Sequence, residues 1–233
     1  MKKSLFVVSF LLVSSLAFAQ KKSKKDYLVT LKTSHGTMHM VLFDDTPLHK
    51  KNFIKLVDKK FYDGLLFHRI IEGFMIQGGD PNSKKAKPGD RLGNGGGDME
   101  RIPFEFTPKH VHRKGALAAA RDNNPEKKSS ACQFYIVQGK KLTDEEVTIA
   151  AGRNKMDYTN QQRVDYIGMG GTPRLDNNYT VFGEVIDNLD VIDTIAKQPR
   201  DEADRPLTDV QMTMTVKKMK KKKITKRYGY KYS

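Results

Sequence analysis

The sequence predicts a mainly β fold, an antiparallel barrel or sandwich carrying two helices. Three observations carry that reading. Short apolar runs, several of them alternating with polar residues, recur along the chain with Gly, Pro, Asn and Asp between them. Only two of the stretches between these strands show the 3–4 spacing of a half-buried helix. There is no internal repeat and no strand–helix–strand rhythm of the kind a parallel sheet requires. At 233 residues the chain suits one domain with extensions.

The elements follow in order. Tyr27–Thr33 and Thr37–Phe43 alternate on either side of Ser34-His35-Gly36, which predicts a β-hairpin. Thr46-Pro47 opens a helix with proline at its permitted first position, and Phe53, Leu56, Val57 and Phe61 form its buried face before Asp63-Gly64 ends it. Leu65–Ile71 and Gly73–Gln77 are two short strands, and residues 81–98 are a long loop rich in Gly, Pro, Asn and Lys. Ile102–Phe106, Gly115–Ala120, Cys132–Val137 and Tyr179–Val185 read as further strands. Asn188–Ala196 is the second helix, with Leu189, Ile192 and Ile195 on one face, and Val210–Val216 alternates as the closing strand. Residues 139–173 break the rhythm. They read as an insertion, partly helical, with Thr143 and Glu146 spaced as a capping box.

The two ends differ from the body. Lys2 and Lys3 precede a twelve-residue apolar run, Leu5–Leu16, and Ala17-Phe18-Ala19 has the small-x-small form of a cleavage site. That predicts a signal peptide over 1–19, a polar leader over 20–26 and an exported, periplasmic chain starting at Gln20. The apolar run is shorter than the roughly 20 residues of a spanning helix. A lone Cys132 excludes an internal disulfide and a Cys-rich zinc site, and it suits an oxidising compartment. The net charge of +15 resides at the ends: residues 217–233 hold eight lysines and Arg227 with no acid, whereas 27–216 is nearly neutral. A nucleic-acid domain would spread its cations over a folded face. Lys217–Ser233 therefore reads as a solvated basic tail, able at most to make a weak polyanion or membrane-surface contact, with no specific nucleic acid as partner.

The densest chemical signal is Phe67–Asp80, FHRIIEGFMIQGGD, which sets Arg69 and Gln77 among apolar side chains that include Phe74 and Met75. A buried strand has no use for Arg69 beside Gln77, and a hydrolase would carry a nucleophile there. Ala120-Arg121, Gln133-Phe134-Tyr135, Leu175 and Tyr179 follow, and alternation sends Gln133 and Tyr135 to one face. Together these residues could line an apolar pocket rimmed by one guanidinium and two amides.

These motifs (FHRIIEGFMIQGGD, AAAR, QFYI and LDNNYTVFGEV) closely resemble those of the cyclophilin-type peptidyl-prolyl cis-trans isomerases over roughly residues 27–216, apart from the insertion. The resemblance implies a closed eight-stranded antiparallel barrel capped by two helices, with 139–173 as one long loop insertion. It implies Arg69 as the catalytic arginine, with Gln77 beside it. Phe74, Met75, Tyr135 and Leu175 would form the proline pocket, and Gln77, Gln133, Ala120 and Arg121 the peptide groove, with Tyr179 also at the substrate. The partner would be a proline-containing segment of a folding protein, bound by a monomer with no cofactor and no metal. Three positions depart from the family pattern: Arg174 stands where a tryptophan is common, Tyr179 where a histidine is, and Tyr135 where a phenylalanine is. Weak cyclosporin affinity is expected from the first.

The chemistry implied is coherent. Rotation about X–Pro faces a barrier of ~18–20 kcal/mol because amide resonance must be broken. At the top of the barrier the prolyl nitrogen regains a lone pair, and a guanidinium aimed at it stabilises the twisted state above either planar one. A second reading is a binding module that holds proline peptides as a chaperone or scaffold with little turnover. Plainer roles exist for single residues. Arg69 could pair with Glu72 or Glu105, Phe74 and Met75 could be ordinary core, and Cys132 a small buried side chain. His110 with His112, or His35 with His39, makes a poor metal site, and Gly93–Gly97 is a turn-rich loop rather than a phosphate loop.

Overall fold

A computed structural model describes residues 23–232. The expected signal peptide, residues 1–19, lies outside them. The strands are β1 (Lys25–Thr33), β2 (Gly36–Leu42), β3 (Phe67–Ile71), β4 (Met75–Gly78), β5 (Ala116–Ala119), β6 (Phe134–Val137), β7 (Val181–Asp187) and β8 (Met212–Lys220). All pairings are antiparallel, in the order β3-β4-β6-β5-β7-β2-β1-β8.

That order has two ends, so the sheet is an open half-barrel and the closed barrel expected from the resemblance is corrected. Between edge strands β3 and β8 the ladder shrinks to the single bridge Leu66–Gln211, with the Met212 amide on the Leu65 carbonyl and the Phe67 amide on the Val210 carbonyl, both at 2.9 Å. Beyond Phe67 the chain leading into β8 departs, and the Ile70 amide donates to the Asp204 carbonyl of the 199–207 loop instead (2.8 Å). This loop covers the edge that would otherwise offer unpaired amides to another strand.

Helices α1 (Pro47–Asp58) and α4 (Asp190–Ala196) supply Phe53, Leu56, Val57, Val191, Ile192 and Ile195 to one continuous core with the inner face of the sheet. Thr46 makes no side-chain cap on α1. Glu105 caps it from a distant loop: its carboxylate accepts the Leu48 and His49 amides at 3.0 Å each and the His49 ring at 2.7 Å. The helix N-terminus needs acceptors for its free amides, and a carboxylate also suits its dipole.

Two segments depart from the sequence reading, and the insertion is helical in part, as the sequence reads. Ile102–Phe106 is not a strand; one bridge, Ile102–Ser129, is all it forms, because Glu105 is drawn off to α1. The insertion contains two helices, α2 (Asp144–Asn154) and α3 (Asn160–Gly168), around a small core of Val111, Val147, Tyr158 and Tyr166. The Thr143–Glu146 capping box is present, and a second one, Thr159–Gln162, starts α3. The insertion leaves and returns through a neck where a Cβ on Gly139 (φ +65°) would lie 2.3 Å from the Gly171 backbone. The basic segment is not a solvated tail. Strand β8 continues to Lys220, pairing with Lys25, and α5 (Lys221–Tyr228) buries Ile224 completely against Leu28 and Val41.

Candidate active site

Strand alternation gives β4, β5 and β6 two faces. Ile76, Leu117, Ala119, Phe134 and Ile136 enter the main core, while Met75, Ala116, Ala118, Tyr135 and Val137 form a second apolar cluster on the outer face. Three alanines on that face, Ala116, Ala118 and Ala120, fill little space, and cross-strand pairing sets Ala118 against Tyr135. A shallow pocket of about 120 Å³ remains above them. Nine of the ten expected residues line it: Arg69, Phe74, Met75, Gln77, Ala120, Arg121, Tyr135, Leu175 and Tyr179. Gln133 is the exception; it lines an adjoining groove with Gln77, Ala120, Arg121 and the Gly93–Gly97 loop.

Register brings the polar rim together. Arg69 on β3 pairs with Gln77 on β4, which pairs with Tyr135 on β6. The Arg69 Nη1 donates to Gln77 Oε1 (3.4 Å), and Gln77 Nε2 donates to Gln133 Oε1 (3.2 Å). Gln133 Nε2 then donates to the Gly93 and Gly95 carbonyls at 2.8 and 3.0 Å, so this amide organises the glycine loop. Buried Asp80 holds the same loop by accepting the Gly93 and Gly95 amides. On its other side Arg69 Nε lies 3.5 Å from Asp204. Glu105 is taken by α1 and His49, so the carboxylate beside Arg69 is Asp204, a partner that no motif singles out.

Aromatic and apolar side chains wall the pocket. The short 3₁₀ turn Pro173–Leu175 presents Leu175, and Tyr179 stands edge-on to Tyr135. The Arg121 guanidinium lies 4.7 Å from the Tyr179 ring centre. Arg174 lies 4.3 Å over the Phe74 ring, so at the position where a tryptophan is common a planar cation covers the outer side of Phe74.

Beneath the pocket is a buried polar network. The Tyr135 hydroxyl is 2.9 Å from His112 Nε2, and His112 Nδ1 donates to Asp176 Oδ1 at 2.6 Å. The same carboxylate accepts the His112 amide (2.8 Å) and the Tyr158 and Tyr166 hydroxyls (2.7 and 2.5 Å). Burial, and then the adjacent Asp176 carboxylate, pushes both of these phenols well above the ordinary tyrosine range, so they stay donors. Tyr158 and Tyr166 belong to the insertion, which is thereby tied to the pocket floor. Sequence reasoning missed His112 and Asp176 in this role; the one signal was the hydroxyl-bearing Tyr135 in place of phenylalanine, which needs the buried partner that His112 supplies.

His110 is occupied elsewhere, 2.6 Å from Asp45 and stacked on Phe43. Cys132 is buried, and burial raises its thiol pKa.

The family model for cyclophilin type peptidyl-prolyl cis-trans isomerase matches residues 28–217. The chain belongs to that family. Its relatives include a Staphylococcus aureus protein named as a peptidyl-prolyl cis-trans isomerase, 35% identical over 186 residues, covering 78% of this chain and 87% of the relative. A Streptococcus pyogenes protein named as a bifunctional phosphatase/peptidyl-prolyl cis-trans isomerase is 37% identical over 187 residues. The match spans 78% of this cyclophilin but only 37% of the streptococcal protein's length. Among solved structures, a Cryptosporidium parvum cyclophilin shares the fold with a TM-score of 0.58 at 24% identity, covering 82% of this chain and 98% of that one. A Hirschia baltica cyclophilin does so with a TM-score of 0.54 at 19% identity, covering 82% and 76%. The Cryptosporidium protein was also solved in the presence of the dipeptide Ala-Pro, where the TM-score is 0.56 at 23% identity over 81% and 98% of the two chains.

Proposed function

We propose that this cyclophilin accelerates X–Pro isomerisation in folding proteins by stabilising the twisted amide with Arg69. The observation that carries the reading is one guanidinium, held between Gln77 and Asp204, at the rim of an apolar pocket of proline-ring size. The ring sits over Met75, Ala120 and Tyr135 against Phe74 and Leu175, while the preceding carbonyl turns above it. Arg69 donates to the prolyl nitrogen only when resonance is broken and the lone pair returns, so the contact favours the transition state over both planar isomers. Gln77 orients the guanidinium, and the chain of amides through Gln133 to the glycine loop fixes Gln77 in turn. The presence of Ala-Pro in the Cryptosporidium cyclophilin structure agrees with a proline ligand. A holding module would need no cation at the twisted nitrogen, which favours turnover. Isomerisation of a short X–Pro peptide by the chain and by Arg69→Ala tests the proposal, with loss of turnover in the variant expected.

The clients are exported proteins on this proposal, a reading that rests on the 1–19 segment. The intact mass of the chain produced by a secreting bacterial host is expected to start at Gln20; a mass that retains Met1 or the apolar run would contradict it.

A further inference from the structure

Beside the proline pocket lies a larger cavity of about 520 Å³, between α2 and the Gly171–Arg174 segment. Phe74 lines both, so the two are neighbours that share a single side chain. The second cavity's apolar lining includes Leu142, Ile149 and Pro173, and Ile149 is half exposed to solvent there (47%). Its charges are Lys140, Arg153 and Arg174 against the single acid Glu146. Glu146 approaches Lys140 at 4.0 Å, whereas neither Arg153 nor Arg174 has a carboxylate within 4 Å among the described residues. The cavity is thus apolar within and positively charged at its rim.

Its walls are fixed. Helix α2 is held at its start by the Thr143–Glu146 capping box and at its end by Asn154 Nδ2 on the Pro173 carbonyl (2.5 Å). Asn177 Nδ2 returns to the Asn154 carbonyl (3.2 Å), and Tyr158 and Tyr166 anchor the insertion on Asp176. A preformed cavity loses little ordering freedom when it is filled.

We propose that this cavity is a second peptide subsite. It takes an apolar or aromatic side chain, with a carboxylate beside it, from the same client chain whose proline occupies the Arg69 pocket. The inference rests on the isomerase reading above. An extended chain advances about 10 Å over three residues, enough to pass along Phe74 from one pocket into its neighbour. Continuity with the proline pocket makes the client chain the occupant, and the two unpaired guanidiniums select for acid next to the apolar residue. The insertion thereby turns a proline site into one that reads a few residues around the proline.

The test uses three peptides: a blocked Ala-Ala-Pro-Ala, and longer peptides that place Leu-Glu or, as a control, Ser-Lys two to four residues from the proline on either side. Exchange NMR gives the kcat and KM of each. In the intact protein at least one Leu-Glu peptide is expected to show a KM about tenfold below its Ser-Lys control, the size of effect one apolar side chain brings. That advantage is expected to vanish in Ile149→Asp and to shrink in Arg153→Ala, while turnover of Ala-Ala-Pro-Ala stays as in the parent. Ile149 is surface-exposed, so the variant should fold, and Arg153→Ala gives an independent check. Equal KM values for Leu-Glu and Ser-Lys peptides, with the short peptide still turned over, would overturn the subsite and leave the isomerase standing. An advantage that survives Ile149→Asp would overturn it too. If the parent turns over no peptide, the isomerase reading fails, and the Kd values of the same peptides decide the subsite: a Leu-Glu preference lost in Ile149→Asp supports it, and no preference overturns it.

Discussion

His68 stands next to Arg69 in the chain, and both its ring nitrogens are buried without a hydrogen-bond partner among the described residues. Burial, helped by Arg69 and Arg205 and opposed by Asp80, lowers its pKa from 6.5 to about 4. The unfolded chain therefore takes up this proton first as the pH falls. Stability from this group is full above pH 6.5, declines between 6.5 and 4, and by pH 4.5 is down by on the order of 2–3 kcal/mol. Urea unfolding at pH 7 and pH 4.5 should show His68→Leu losing less stability than the parent by about that amount; parallel losses would contradict it. At this scale the sequence was legible where residues act through neighbours at fixed spacing. Arg69 and Gln77 meet because they face each other across one hairpin, so a fourteen-residue motif held both. His112 and Asp176 lie 64 positions apart and are completed by tyrosines of an insertion, at no spacing that a pattern could fix.

At the scale of elements, helix α5 shows how a charge run can conceal a fold. Eight lysines and Arg227 in residues 217–233 read as solvent-exposed chain, yet β8 runs on to Lys220, and Ile224 sits at 0% exposure in a cluster with Leu28 and Val41. Long cationic side chains leave the backbone free to form a strand and a helix while their charged ends stay in water. One aliphatic residue among the five cations of α5 gives no periodicity to detect. Deleting residues 221–233 should lower stability by roughly 1.5–3 kcal/mol, the value of one fully buried aliphatic side chain. We propose that the cations of α5 make a weak polyanion contact, so the same truncation should elute from heparin at lower salt. Unchanged urea midpoints would remove the structural role, and unchanged elution the polyanion contact. The Thr143–Glu146 capping box, by contrast, was legible because all of its bonds close within four residues.

At the scale of the whole molecule, the half-barrel serves as a support with two apolar faces. Its inner face packs on α1 and α4, and its outer face, kept shallow by alanines, forms the pocket floor. Hydrophobic alternation showed most of these strands, because each local run states which side chains share a face. It did not show that the sheet stays open, since the seam between β3 and β8 depends on where the 199–207 loop docks, a contact between distant segments. Nor did it show what the insertion does, since α3 takes its place from Asp176 and α2 from the Pro173 carbonyl rather than from their own sequence. The central claim is that this scaffold holds Arg69 for the twisted amide rather than for the bound peptide. Exchange NMR on a short X–Pro peptide, with the chain from Gln20 and its Arg69→Ala variant, measures turnover and Kd in one sample. The account predicts that kcat falls about 100- to 1000-fold, the usual effect of removing one donor to a transition state, while Kd changes far less. An unchanged kcat in Arg69→Ala would contradict it.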